Sequence, residues 1–139
     1  MKITVSGDDL GDAMDKTKKA LDDALARTLV DQQGKLIKDN PKDTGRMASS
    51  WQIGKNSPPE ADRGEGWAQP GAKRVEQLEY TEPITFDGTF YLSNNVPYAA
   101  RNALDYRGKA SGVQRDWFTS IAGQTGKVFT DQFNRLKPK

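Results

Sequence analysis

Residues 7–38 constrain this chain more than any other stretch. Leu10, Met14, Thr17, Leu21, Leu25, Thr28, Gln32 and Leu36 recur every three or four positions, and Ala13, Ala20 and Ala24 widen the stripe. That spacing places one face of a long amphipathic helix against a core. Ser6 is positioned to cap its start, and Asp8, Asp9 and Asp12 suit the positive end of its dipole. Asn40-Pro41 ends it, because proline disfavours helix in the residue before it.

A second helix is predicted over 112–136, with Trp117, Phe118, Ile121, Val128, Phe129, Phe133 and Leu136 on its apolar face. Ser111 and Gln114 form a capping-box pattern at its start, and Gly123 and Gly126 mark a bend. Between the helices lies a short β region. Residues 46–54 read as a turn feeding a strand that carries Met47, Trp51 and Ile53, and residues 83–94 hold a better strand at Phe90-Tyr-Leu-Ser. Residues 73–80 fit a short helix or a strand, and helix is favoured. Pro97 opens another short helix. The expected fold is one α+β domain over 1–139, with two long helices packed on a small, mainly antiparallel sheet.

Residues 55–72 stand apart. Pro58-Pro59, Gly64, Gly66 and five charged side chains fill them. Such a stretch reads as a flexible loop or arm, mobile in the free subunit and ordered by neighbours, with Trp67 as its aromatic anchor.

The chain contains no cysteine and no histidine. Disulfides and thiolate metal sites are excluded, as are the commonest metal ligand and the commonest general base near neutral pH. Other chemical motifs fail on spacing. Gly123-Gln-Thr-Gly-Lys-Val lacks the glycine spacing and the Ser/Thr of a phosphate loop, and it lies inside a helix pattern. Asp8, Asp9, Asp12 and Asp15 fall on a helix rather than around a calcium turn, and Asp62-Arg-Gly-Glu-Gly has no calcium-loop spacing. Ser49 and Ser50 sit in no nucleophile elbow and read as ordinary turn residues. No enzyme and no cofactor is expected. No stretch approaches a membrane span or a signal-peptide core, so a cytosolic origin is expected.

Charge is uneven. Residues 101–139 hold eight Lys/Arg against three Asp/Glu, while residues 1–100 hold thirteen against sixteen. A basic final third suits an acidic partner or, as the alternative function, a small basic nucleic-acid-associated protein. A solvated helix face is the plainer reading.

Two segments are more specific. The first is Asn40-Pro-Lys-Asp-Thr-Gly-Arg-Met-Ala-Ser-Ser-Trp, directly after the long helix. The second is Tyr91-Leu-Ser-Asn-Asn-Val-Pro-Tyr-Ala-Ala, followed by Asp105-Tyr-Arg-Gly and Gly112-Val-Gln-Arg-Asp-Trp. In this order they resemble the tail-component, or neck and tail-completion, family of long-tailed bacteriophages, across about residues 10 to 133. Asp105-Tyr-Arg-Gly departs from the family's usual Glu-Tyr-Gly by one extra residue.

The resemblance implies a virion protein, made in the bacterial cytoplasm, that completes the tail end or joins the head connector to the tail. Its implied partners are copies of itself in a ring, commonly six, a head–tail connector or adaptor, and a tail terminator or tail tube protein. DNA would pass through the lumen without being read. The motif residues are Pro41, Asp43, Thr44, Gly45, Asn94, Asn95, Pro97 and Tyr98, and the interface candidates are Trp67, Arg101, Arg107 and Arg115. Asp43 suits an Asx turn and Gly45 a backbone conformation closed to other residues. Asn94 and Asn95 suit strand-end amides, and Tyr98 would bury a ring with a polar tip.

Overall fold

A computed structural model describes residues 7–60, 62–108 and 113–139, and side chains from residue 10 onward. Ser6 and Ser111, the expected helix caps, lie outside the described residues, as do the side chains of Asp8 and Asp9.

Helix α1 runs Gly7–Asp39. A 3-10 turn at Ala48–Ser50 leads into strand β1, Trp51–Lys55. Strand β2, Phe90–Asn94, pairs antiparallel with β1 in the register Trp51–Asn94 to Lys55–Phe90. Helices α2 (Ala99–Leu104), α3 (Trp117–Gly123) and α4 (Thr125–Leu136) complete the described elements. The architecture is α+β: helices around a small two-stranded antiparallel sheet.

The expectation of two long helices holds for α1 alone. The second splits at Gln124, between the two glycines that mark a bend in the sequence, where the Gln124 amide turns back to the Ile121 carbonyl. It also begins at Trp117 rather than 112, with Asp116 as its cap position. Residues 73–80 are not a helix. They run without helical hydrogen bonds, because their partners are remote: the Asp43 carbonyl, Ser49 of the 3-10 turn and Gln33 of α1. Val75, Leu78 and Tyr80 can be spaced for either conformation, and the remote contacts decide.

The core gathers Leu36 from α1, Met47, Trp51, Val96, Ala99 and Ala103, and Trp117 and Ile121 from α3. Trp51 meets Trp117 edge-on at 6.4 Å and stacks on Phe118 at 5.8 Å. Helix α4 runs back along α1. Gln32 reaches Thr125 at its start, and Phe86 links Asp22 of α1 to Phe129 farther along it. Its twelve residues extend about 18 Å, so it covers α1 only back to about Ala20. Leu10 and Met14, on the predicted apolar stripe, are therefore 56% and 64% exposed.

Several inward-facing side chains of α1 and of the residue after it are polar. Thr28, Gln32, Gln33 and Asn40 are all buried. Gln32 Nε2 donates to the Ile121 carbonyl and to Thr125 Oγ1, both at 2.8 Å, bracketing the break between α3 and α4. Asn40 ties the end of α1 to the sheet by accepting the Trp51 indole N–H at 2.9 Å.

Candidate functional site

The turn after α1 and the strand end before α2 are distant in sequence and meet in space. Asn94 Nδ2 donates to the Met47 carbonyl at 2.6 Å, while its Oδ1 accepts the Val96 amide at 3.3 Å. Asn95 Nδ2 donates to the Glu60 carbonyl at 3.1 Å. Asn94 thus serves the strand end as expected and also clamps it to the turn. Pro97 and Tyr98 form the turn into α2, which begins two residues after the proline.

Within the first motif the roles differ from the sequence reading. Asp43 Oδ1 accepts the amide of Gly71, 28 residues on, at 2.9 Å, and the Asp43 carbonyl accepts the amides of Gly71 and Lys73 at 3.1 Å. A local Asx turn is not its task. Thr44 Oγ1 takes the local amide instead, from Arg46 at 3.1 Å. Gly45 has φ +92°, the left-handed region that favours glycine. A Cβ there would overlap the Arg74 carbonyl.

Arg46 is the hub that sequence reasoning missed. Its Nε and Nη2 donate to the two oxygens of Asp62 at 2.9 and 2.6 Å, a two-pronged pair largely withdrawn from water. Its guanidinium also lies 5.7 Å from the Tyr98 ring centroid. The Arg46 hydrogen bonds hold the Asp62 carboxyl below its ordinary range. Tyr98 does not bury its ring as expected but is 38% exposed, and partial desolvation raises its phenol above the ordinary value. Nothing in a single sequence pairs residue 46 with residue 62.

Ser49 and Ser50 are fully buried, and they are more than turn residues. Ser50 Oγ accepts the Arg63 amide at 3.0 Å, and Ser49 Oγ accepts the Glu76 amide at 2.9 Å. Arg63 Nε donates to the Ser49 carbonyl at 3.0 Å. Trp67 lies between two guanidiniums, Arg63 at 4.5 Å and Arg74 at 3.9 Å from its ring. The stretch read as a free arm is thus tied to the body at Asp62, Arg63 and Trp67, because it carries the counter-charge and hydrogen-bond donors that the turn after α1 lacks.

Three shallow depressions of about 360, 310 and 320 Å³ surround Tyr98. Thr44 and Arg46 line the first two, and Arg101, Asp105 and Arg107 line the third. Arg107 and Arg115 both contact Asp105, at 3.1 and 2.8 Å. Those bonds, Arg115's first, hold the Asp105 carboxyl low. Arg101 is exposed, with no ion pair among the described residues. The structure therefore gathers Pro41, Asp43, Thr44, Gly45 and Tyr98 around one depression, with Arg101 and Arg107 in the depression beyond Tyr98 and Trp67 in the one on its other side, while Asn94 and Asn95 tie in through the Met47 and Glu60 carbonyls.

Such a surface offers guanidiniums, amides and a phenol for recognition. Among the described residues no three carboxylates gather where they could hold a metal ion, and no helix is long and apolar enough to cross a membrane. The aromatics Trp117, Phe118 and Phe129 pack against other rings and are not laid out as base-stacking platforms. Lys127 is paired with Asp131. No family model, curated protein or solved structure matches the chain.

Proposed function

We propose that this chain is a structural protein of the phage neck. In this reading it completes the tail end or joins the head connector to the tail, as a ring of identical subunits around the DNA channel, and it is not an enzyme. One observation carries the reading. The two segments that resemble the tail-completion family, separated by about forty residues, are joined by the Asn94–Met47 hydrogen bond and the Arg46–Tyr98 contact. A partner that docks at this junction engages both segments at once.

Partners on this reading are further copies of the chain, commonly six, a head connector or adaptor, and a tail terminator or tube protein. The test is deletion of the coding frame in the source genome, followed by electron microscopy of the lysate. Filled heads and separate tails are expected. Intact particles at normal yield overturn the reading. The nucleic-acid alternative predicts steeply salt-dependent duplex binding by the purified protein. Arg107 and Arg115, two of the cations it would use, are both held on Asp105.

A further inference from the structure

The two-stranded sheet leaves the outer edge of β2 without a backbone partner among the described residues. Just past the ladder, the Asn56 amide donates to the Thr89 carbonyl at 2.7 Å. Alternation in an antiparallel pair then makes Gly54–Tyr91 and Gln52–Ser93 the hydrogen-bonded pairs. Phe90, Leu92 and Asn94 consequently turn their N–H and C=O groups away from β1, and no backbone group among the described residues meets them. On the opposite edge the outward Trp51 carbonyl is met by Gln33 Nε2 at 2.9 Å. Beside the open β2 edge lies an apolar groove of about 230 Å³, lined by Leu92, Ala100, Ala103, Leu104 and Phe118. Leu104 is 64% exposed there.

The same chain carries a segment shaped for such an edge. Residues 75–83, Val-Glu-Gln-Leu-Glu-Tyr-Thr-Glu-Pro, make no backbone–backbone hydrogen bond among the described residues. The Glu76 amide is bound by Ser49, and the Leu78 carbonyl by Gln33 at 2.9 Å. In an extended run the backbone groups of Gln77 and Glu79 then face the other way, outward. Val75 is 39% exposed.

We propose that the β2 edge of one copy accepts residues 75–83 of a second copy as a third strand, with Val75 entering the groove beside Leu104. Strand addition of this kind uses backbone bonds for affinity and a side-chain pocket for register. Charge selects the occupant. Residues 75–83 carry three glutamates and no cation, whereas α2, whose Ala100, Ala103 and Leu104 line the groove, carries Arg101, exposed and without an ion pair among the described residues. A chain cannot satisfy its own edge, because Gln33 holds its 75–83 segment beyond β1, on the far side of the sheet. Donor and acceptor are different patches, so the contact is heterologous and propagates into a ring or a filament. The inference deepens the ring reading above and rests on it only for closure.

Disulfide trapping tests it, since the chain has no cysteine of its own. Val75→Cys and Leu104→Cys subunits are prepared separately, one is activated as a mixed disulfide, and the two are mixed. Val30→Cys, 50% exposed on α1, replaces Val75→Cys in the control. The 75–104 cross-link is expected to form at least about tenfold faster than the 30–104 cross-link, because docking raises the effective concentration. Adding Glu79→Pro to the donor removes one outward N–H that has no partner among the described residues, and should return the rate to the control. A 75–104 rate equal to the control, or one indifferent to Glu79→Pro, overturns the proposal. Fast cross-linking together with normal particles in the deletion lysate would sink the neck reading and leave the strand exchange standing.

Discussion

Gly45 packs its bare α-carbon against the backbone carbonyl of Arg74, so the turn after α1 and the extended segment beyond Trp67 touch where no side chain fits. Its φ of +92° adds a second reason for glycine. Gly45→Val is expected to destabilise the fold by about 1–3 kcal/mol from backbone strain alone, and further by displacing residues 71–76. Thermal denaturation checks this, and an unchanged midpoint would show that the segment moves aside freely.

Asp62 binds Arg46 through both oxygens, and its carboxyl titrates below its unfolded value. Its contribution is therefore complete above the ordinary carboxylate range and is lost as pH falls through the depressed value. Asp62→Asn should remove about 1–3 kcal/mol at neutral pH, the usual worth of hydrogen bonds to a charged group. It should also flatten the acid limb of the stability profile. Denaturant melts across the acid range read both effects, and parallel profiles for the two proteins would contradict the assignment.

Trp67 is clasped by Arg63 and Arg74, and its indole N–H reaches the Arg74 carbonyl at 3.3 Å. Trp67→Ala is expected to release residues 62–76 while α1 and the sheet stay folded. Each cation–π contact contributes about 0.5–1 kcal/mol at exposed sites. Hydrogen exchange at the Gly71, Lys73 and Glu76 amides is the readout, since those amides bond to Asp43 and Ser49. Exchange unchanged at all three would mean that the tryptophan does not hold the segment. Deleting 55–72 outright should destabilise the subunit as well, because Asp62 leaves with it.

Gln33 bridges β1 and the extended segment, donating to the Trp51 and Leu78 carbonyls and accepting from Gln77. Gln33→Leu keeps the volume and strips those bonds. A loss of about 1–3 kcal/mol is expected for the buried Trp51 carbonyl left without a donor, and less for the half-buried Leu78 carbonyl. Chemical denaturation measures it, and a neutral substitution would show that water replaces the amide.

The one-dimensional pattern of the chain determined its local elements. The periodic stripe and Pro41 specify α1 and its end. Gly123 and Gly126 flank the break at Gln124, and the aromatic run at 90–94 becomes β2. These depend on neighbours within one or two turns, which sequence spacing reports directly. The conformation of residues 73–80, the anchoring of Trp67 and the hub at Arg46 were decided only by tertiary structure. Gln33 meets Leu78 across 45 positions, Asp43 meets Gly71 across 28, and Arg46 meets Asp62 across 16. A glutamine, an aspartate or an arginine carries the same hydrogen-bonding groups wherever it stands, and only the folded chain selects the partner that removes both from water.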